Sequence, residues 1–433
     1  MRRDRCIAGR IKRRRKIVNQ RRTAVAARIT PLALVLLGQG VVSLTSFTIV
    51  LALGRWAGEA ALGIFALGWS CWFFASSLGD TLVATPYTYF VNQRPAPARD
   101  LAMIAFSGFV ILAAVAAALL TWLWLIGNAT FAPLWPALPL ALTGSLMREL
   151  MRRHFLATGQ THRLVRLDIA SSALQLAGVV ALVATQRLSA NSTLWVITLG
   201  TLIPVLPVLS RNRLHRLFAA NVEVKHELAR FFVYGRWLLL GGLCHVAGVQ
   251  IYPWLAFAAG GARMAGVFAA CIALVNLLAP VLTGLTNYFR PKFMAVQTQY
   301  TADDFAIYVF YRTALFLVPG LMLCVVLAVF GERALVRIYG VSFAVGAPAL
   351  LWFGVATVAV CLSAPLQLGL LAMRATLTNV FYHAAALACV AFAVAVIEPQ
   401  YVTLLDLAHI NATANWVATI VLSTMFFFHL VRV

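Results

Sequence analysis

Acidic residues are scarce in this 433-residue sequence, in which 13 Asp and Glu stand against 35 Lys and Arg. All charged residues together make up only 11% of the chain, whereas 62% of it is hydrophobic. A chain with so little charge lacks the polar surface that a water-soluble protein of this size needs. The composition therefore excludes a soluble protein and predicts a membrane protein for which the bilayer acts as the solvent.

Cofactor and metal motifs are also missing from the sequence. The seven cysteines are scattered, without the spacing of a metal site or of a disulfide framework. No phosphate-binding P-loop occurs, and no soluble domain is large enough to be an ATPase. We therefore expect no cofactor. If the activity is transport, it must be driven by an ion gradient, the membrane potential or a substrate gradient.

The net charge of +22 would suit a nucleic-acid partner, but the distribution of the basic residues argues against one. They cluster in short gaps between apolar runs, as they do in the cytoplasmic loops of membrane proteins. We therefore expect no nucleic acid to bind. The basic run at the N-terminus, twelve Lys and Arg within residues 1–28, is interpreted as a cytoplasmic tail before a retained first helix.

Twelve apolar runs are long enough to cross a bilayer, which takes about 20 helical residues. They are 31–53, 61–91, 101–126, 131–150, 163–185, 192–209, 231–257, 264–289, 305–330, 341–371, 376–397 and 406–430. A cytoplasmic N-terminus then places 30 of the 35 Lys and Arg on the cytoplasmic side. This asymmetry supports twelve spans with both termini inside.

The span count predicts an all-α polytopic membrane protein built from two similar halves. We predict a basic cytoplasmic tail (1–28), an N-terminal six-helix lobe (29–210), a cytoplasmic linker (211–230) and a C-terminal six-helix lobe (231–433). Because each half holds six spans, both start on the same side of the membrane. They are then parallel repeats related by a pseudo-two-fold axis along the membrane normal.

An internal repeat supports this division. At a fixed offset of 203 residues the sequence matches Gly38 with Gly241, Gly58 with Gly261, Gly63 with Gly266, and Phe65-Ala66 with Phe268-Ala269. At an offset of 215 it matches Leu156-Ala157 with Leu371-Ala372, and there Asp168 meets His383. Two similar membrane halves are typical of transporters.

Four short motifs resemble those of a known family. They are the G-x-F-A segment at Gly63–Ala66, the acid Asp80 followed by Ala84-Thr85-Pro86-Tyr87-Thr88, Arg148-Glu149-x-x-Arg152-Arg153, and Tyr234-Gly235-Arg236-Trp237. With them the chain resembles the multidrug/oligosaccharidyl-lipid/polysaccharide (MOP) exporter superfamily, specifically bacterial polysaccharide-biosynthesis proteins of the O-antigen flippase type. The resemblance implies two six-helix lobes around a V-shaped cavity in the bacterial inner membrane.

The resemblance also implies a function. A flippase of this type moves a polyprenyl-diphosphate-linked oligosaccharide from the cytoplasmic to the outer face by alternating access, for surface polysaccharide or O-antigen assembly. It is a carrier and not an enzyme. The implied partners are the lipid-linked oligosaccharide, membrane lipid and polysaccharide-assembly proteins.

Arginines are the candidate binding residues for such a cargo, because the guanidinium group stays charged and binds phosphate oxygens bidentately. The candidates are Arg290 with its neighbours Asn287 and Tyr288, Arg236 at the start of the second lobe, and Arg55 and Arg263 in the two equivalent outer loops. For Arg290 and Arg236 the alternative is an ordinary positive-inside anchor, and for Arg55 and Arg263 a surface loop charge.

Three titratable residues are candidates for proton coupling. Asp80 interrupts an apolar run, and a carboxylate at mid-helix costs roughly 2.5–3.5 kcal/mol to insert, so it should face the cavity or a partner. Asp168 is a second candidate, with a local ion pair to Arg163 or Arg166 as the favoured alternative. His383 is the third, because histidine titrates near neutrality, although a lone histidine is more often a packing residue.

Two other functions remain open. A multidrug cation antiporter of the same superfamily would need an acidic cavity, and the spans offer few carboxylates, chiefly Asp80, Asp168 and Asp406. A membrane-embedded glycosyltransferase or polymerase would need large outer loops with catalytic acids, and the predicted outer loops are short.

Overall fold

The computed structural model describes residues 33–93, 98–125, 132–211, 222–299, 301–373, 375, 377–397 and 402–432. The predicted basic tail 1–28 lies outside these residues, and so does most of the predicted linker, 212–221. The rest of that linker, from Val222 onwards, is helical and forms the first turns of α8.

The described chain is helical almost throughout. Its α-helices are α1 (33–52), α2 (Gly58–Gly79), α3 (Thr85–Gln93), α4 (Ala98–Leu125), α5 (Ala137–Ala157), α6 (Thr161–Ala184), α7 (Ala190–Arg211), α8 (Val222–Val275), α9 (Ala279–Gln299), α10 (Ala302–Ile338), α11 (Ala347–Ala372), α12 (Leu377–Val396) and α13 (Leu404–Arg432). Short π-helical turns, Leu53–Ala57 and Asp80–Ala84, join α1 to α2 and α2 to α3.

The helices account for the predicted spans. Eight helical stretches are long and apolar enough to cross a membrane, and two of them, Ala33–Phe90 and Leu238–Met294, are long enough to supply two spans each. The helices α4 and α5 cover the two remaining predicted runs. The prediction of an all-α, multi-pass membrane fold is confirmed.

Two equivalent glycines interrupt the two longest stretches. Gly58 has φ 86° and ψ 176°, and Gly261 has φ 65° and ψ −161°. Essentially only glycine adopts this backbone region, because a Cβ atom would clash with the chain. The sequence match at an offset of 203 therefore marks the same turn in both halves.

The second pair of matched glycines forms the place where α2 crosses the second part of α8. A Cβ atom at Gly63 would overlap the carbonyl oxygen of Ala262, and one at Gly266 would overlap that of Glu59. The contact is reciprocal, because residues 59 and 63 correspond to residues 262 and 266 at the same offset. Small residues allow this backbone approach, as they do in close helix pairs within membranes.

The buried apolar residues divide into three clusters. The largest includes Leu62, Leu138, Val267 and Phe353, and it joins both lobes at the end that contains Gly58 and Gly261. A second cluster lies within the N-terminal lobe, with Phe231 of α8 added, and a third lies within the C-terminal lobe. The two lobes therefore share one core at the predicted outer end and have separate cores at the predicted cytoplasmic end.

Candidate functional site

A group of paired charges lies inside the N-terminal lobe, and we refer to Asp80, Glu149, Arg152, Arg153 and Asp168 as the N-lobe charge cluster. Its centre is the helix α5, where the spacing of Glu149, Arg152 and Arg153 puts all three side chains on one face. Glu149 contacts both arginines, at 3.3 Å to Arg152 and 3.0 Å to Arg153.

Asp168 is the most deeply buried member of this cluster. Its carboxylate is 1% exposed and lies 3.0 Å from Nε of Arg152 on the neighbouring helix α5. Arg152 also donates a hydrogen bond from Nη2 to Oε1 of Gln39 on α1, at 2.8 Å. The expected local pair with Arg163 or Arg166 is not what the structure shows, because those side chains are exposed and Arg152 approaches Asp168 instead.

Asp80 begins the π-helical turn that joins α2 to α3. Its Oδ1 lies 2.9 Å from Nη2 of Arg153, and both side chains are about 40% exposed. Single π-helical turns inside α-helices are frequent at functional sites because they reorient side chains. Asp80 is therefore an accessible carboxylate that already has a cationic partner.

A second group of charges lies in the C-terminal lobe, and its members have no carboxylate partner. We refer to Arg290, Lys292 and Arg312 as the C-lobe cation cluster; none of them forms an ion pair with a described residue. The side chains of Lys292 and Arg312 lie over the same ring, that of Phe289, at 5.4 Å and 5.1 Å from its centroid. Nε of Arg312 is buried without a hydrogen-bond partner among the described residues.

The residues around Arg290 have the accessibility that a binding role needs. Arg290 and Asn287 are exposed, and Tyr288 is 60% exposed. Lys292 places its Nζ 3.6 Å from the ring centroid of Tyr288, which is a cation–π contact. Arg236, the candidate at the start of the second lobe, is exposed on α8.

Arg55 and Arg263 lie at the opposite end, where the lobes meet. Nε of Arg263 is 3.7 Å from Oε1 of Glu59, and Ser342 donates a 2.9 Å hydrogen bond to Oε2 of the same carboxylate. Nη1 of Arg55 approaches Gly340 of the other lobe. Both arginines therefore belong to a polar contact that joins the lobes at the predicted outer face.

His383 lies in the C-terminal lobe, away from the two aspartates. Its ring contacts that of His245, with centroids 4.5 Å apart. The three candidates for proton coupling are therefore in three settings: Asp80 in an accessible ion pair, Asp168 in a buried one, and His383 beside another imidazole.

The first part of α8 packs against the N-terminal lobe along one side. Gly235 fits against the backbone of Thr81, and Gly242 against the side chains of Thr81 and Ser77. At an offset of 203, Thr81 corresponds to Gly284 of α9, but nothing lies within 4 Å of a Cβ atom built there. The lobes therefore touch along this side at α2 and α8, while the equivalent surface of α9 is open.

Neither a protein-family model nor a curated protein matches this sequence. Solved structures do match. An inward-facing multidrug resistance MATE family transporter of the MOP superfamily superposes with a TM-score of 0.77 and 13% identity, over 90% of this chain and 95% of that one. The lipid II flippase MurJ in an inward closed conformation superposes with a TM-score of 0.65 and 8% identity, over 92% and 88%.

A third similar structure is a MOP superfamily transporter from Pyrococcus furiosus, described as having a binding pocket of reverse polarity that suggests a different function. It superposes with a TM-score of 0.65 and 13% identity, over 93% of this chain and 96% of that one. The fold is that of MOP superfamily transporters. At these identities the likeness concerns the MOP fold and leaves the cargo open.

Sequence reasoning missed several residues of both clusters. Glu149, Arg152 and Arg153 were noticed only as a motif, although their i, i+3 and i+4 spacing already places them on one helical face. Lys292 lies at the same span end as Arg290, so its position and charge in the sequence could have identified it equally well. Arg312 carried none, because its proximity to Phe289 depends on how α9 packs against α10.

Proposed function

We propose that this chain is a flippase for a lipid-linked anionic saccharide, with a polyprenyl-diphosphate-linked oligosaccharide as its cargo class. The observation that carries the proposal is the contrast in charge pairing. Among the described residues, Arg290, Lys292 and Arg312 of the C-lobe cation cluster form no ion pair, whereas Asp80 and Asp168 are paired with arginines. A site with cations free and carboxylates neutralised favours an anionic ligand.

The C-lobe cation cluster suits a diphosphate in particular. A diphosphate carries several negative charges within a few ångströms, so it can contact both Lys292 and Arg312, which share the ring of Phe289. Arginine supplies a bidentate fork and lysine a compact charge. The exposed ring of Tyr288 beside Lys292 adds an apolar face on which a sugar can pack.

The open surface of α9 supports a cargo that keeps its tail in lipid. A polyprenyl chain is apolar and remains in the bilayer while only the headgroup enters the polar space between the lobes. The side of the molecule on which Gly284 has no neighbour provides a place for the tail to pass. We propose the bacterial inner membrane, with both termini cytoplasmic, as the location.

A cation antiporter is the second candidate, because the MATE transporters among the similar structures are described as multidrug resistance proteins. An acidic cavity would favour it. In this chain Asp406 joins the two paired aspartates in having a structural role, since it accepts hydrogen bonds from Thr403 at the start of α13. The described carboxylates in the spans therefore give this candidate little support.

A binding experiment tests the proposal directly. The full-length protein in nanodiscs is titrated with undecaprenyl diphosphate and, separately, with the cationic dye ethidium. We expect the diphosphate to bind, and the double variant Lys292→Gln/Arg312→Gln to lose at least about 10-fold in affinity, which corresponds to about 1.4 kcal/mol. The matched control is Arg333→Gln, an exposed cation at the opposite end of α10.

Two results would overturn the proposal: ethidium binding without diphosphate binding, or equal loss in the Arg333→Gln control. A cellular test is independent of purification. Deletion of the gene should cause lipid-linked saccharide to accumulate on the cytoplasmic face, and unchanged surface polysaccharide without accumulation would contradict the flippase.

A further inference from the structure

Two histidines from different helices face each other in the C-terminal lobe. His245 of α8 and His383 of α12 have ring centroids 4.5 Å apart and an interplanar angle of 58°. Neither imidazole forms a hydrogen bond with a described residue. Histidines within membrane spans are uncommon and almost always face a bundle interior or a water-filled cavity, so two of them at one place indicate a function.

The groups around this pair are neutral. From α11, Gln367 donates a hydrogen bond to Ser363, whose hydroxyl lies 3.2 Å from that of Tyr382. The ring of the same tyrosine contacts that of His383, with centroids 4.9 Å apart. Within the described residues, the titratable side chains whose rings contact His383 are those of His245 and Tyr382.

One of the two histidines, His383, occupies the place of a buried carboxylate in the other lobe. At an offset of 215, His383 corresponds to Asp168 and Gln367 to Arg152, the two partners of the buried ion pair. The helix packing around the two sites matches as well: Gly38 lies against Val165 and Asp168, and its counterpart Gly241 lies against Val380, the counterpart of Val165. One lobe therefore holds an arginine and an aspartate where the other holds a glutamine and a histidine.

We propose that His245 and His383 form a proton-binding site, in which the two imidazoles share one proton and thereby couple transport to the proton gradient. The proton binds to a ring nitrogen of one histidine, and a nitrogen of the other, neutral ring accepts the resulting N–H⁺ hydrogen bond. Release reverses both steps, so the site gains and loses one charge without other chemistry. Imidazole suits such a site, because no other side chain has an ordinary pKa so close to physiological pH.

A proton is favoured over a metal ion at this site. Among the residues that the structure describes, no group of three His, Cys, Asp or Glu side chains lies together. Two imidazoles alone leave a transition metal with an incomplete ligand set, since a protein site normally supplies three or four ligands. Two imidazoles are sufficient to hold one proton.

The helix α8 provides the link from this site to the other lobe. One face of it carries Gly241 and His245 against α12, and another carries Gly235 and Gly242 against Thr81 of the N-terminal lobe. At Thr81 the glycine Gly235 packs directly against backbone atoms. Because this contact is close, α8 cannot shift without moving the segment around Thr81. A shift of α8 relative to α12 is therefore transmitted to the π-helical turn Asp80–Ala84. Asp80 is the charged residue of that turn, and it is paired with Arg153.

The proposal rests on the proposed transport function, but its test needs no cargo. Spin labels are placed at Leu156 and Leu377, exposed positions at the predicted cytoplasmic ends of the two lobes, in the cysteine-free full-length protein in nanodiscs. The distance distribution between them is measured at pH 5.5 and at pH 8. We expect it to change with pH in the parent protein.

Three variants decide the origin of that change. His245→Gln and His383→Gln, made separately, should each remove the pH response, and His383→Arg should show the low-pH distribution at both pH values. The control His409→Gln alters a histidine of the same lobe that packs on Trp352, and it should keep the response. The proposal would be overturned if the distance distribution of the parent protein did not change with pH, or if the change persisted in both glutamine variants.

Proton uptake provides a second measurement that does not depend on lobe movement. The purified parent protein should take up one more proton between pH 8 and pH 5.5 than the folded His383→Gln variant does, and equal uptake would refute the site. The same variants are titrated with undecaprenyl diphosphate. A pH response without diphosphate binding would contradict the flippase and support the proton site. Diphosphate binding without a pH response would support the flippase and contradict the proton site.

Discussion

The two lobes share one helical framework but differ in the charges that it holds. In the N-terminal lobe, Arg152 and Asp168 form an ion pair that is almost fully buried. In the C-terminal lobe, the corresponding Gln367 binds Ser363, and His383 faces another imidazole. The helices pack alike at the equivalent positions of the two lobes. The side chains at those positions differ, so the N-terminal lobe holds a fixed ion pair and the C-terminal lobe holds a titratable histidine.

The cations repeat this contrast. In the N-lobe charge cluster, Arg152 and Arg153 each contact two carboxylates, so their charge is used within the protein. In the C-lobe cation cluster, Lys292 and Arg312 contact aromatic rings and form no ion pair with a described carboxylate. Charges used within a fold stabilise it, and charges left unpaired are available to a ligand.

The largest expected effect comes from removing the buried arginine. Arg152→Met leaves the carboxylate of Asp168, 1% exposed, without its partner. Loss of one member of a buried ion pair costs about 3–5 kcal/mol, because the other charge stays buried. We expect a clear fall in the thermal unfolding temperature in detergent, whereas the matched Gln367→Met in the other lobe should lower it much less. An equal fall in unfolding temperature for the two variants would contradict the proposed difference in buried charge between the lobes.

An intermediate effect is expected from the matched glycines. A Cβ atom at Gly38 would lie 3.1 Å from Oδ2 of Asp168, which Arg152 holds in place. At Gly241 the nearest atom is a methyl carbon of Val380, 3.3 Å away, and no other described atom lies within 4 Å. Gly38→Ala should therefore cost about 1–2 kcal/mol, in the usual range of overpacking, and Gly241→Ala less. Unfolding of the two variants side by side measures the difference, and a larger loss for Gly241→Ala would contradict it.

The smallest effect is expected at the accessible pair. Asp80 and Arg153 are both about 40% exposed, and Arg153 keeps Glu149 when Asp80 is changed. Exposed ion pairs contribute about 0–1 kcal/mol, so Asp80→Asn should leave the unfolding temperature nearly unchanged. A transport defect in this stable variant would assign Asp80 a role in the pathway, and a loss of stability as large as that of Arg152→Met would place it with the structural charges.

The fold was largely predictable from the sequence, and the site only in part. Apolar run length and the distribution of basic residues set the span count, and Gly58, Gly63 and their counterparts marked the repeat, because each of these features depends on local sequence. The pairing of Asp168 was predicted wrongly. Sequence distance favoured Arg163 or Arg166, whereas the antiparallel packing of α5 and α6 brings Arg152 closer.

Contacts between distant helices were beyond the reach of the sequence. His383 was noticed alone, but 138 residues separate it from His245, and only the packing of α8 on α12 brings the two rings together. The shared ring of Phe289 under Lys292 and Arg312 is similar, since it depends on the packing of α9 against α10.

The crossing at Gly63 and Gly266 has a consequence for the history of this architecture. Residue 63 meets residue 262 while residue 266 meets residue 59, which is the self-complementary pattern of a two-fold symmetric homodimer interface. In a homodimer every substitution appears twice, so an ion pair in one subunit is matched in the other. Joining the two copies in a single chain removes that constraint. Only the fused protein can keep arginine and aspartate in one half while placing glutamine and histidine at the same positions of the other.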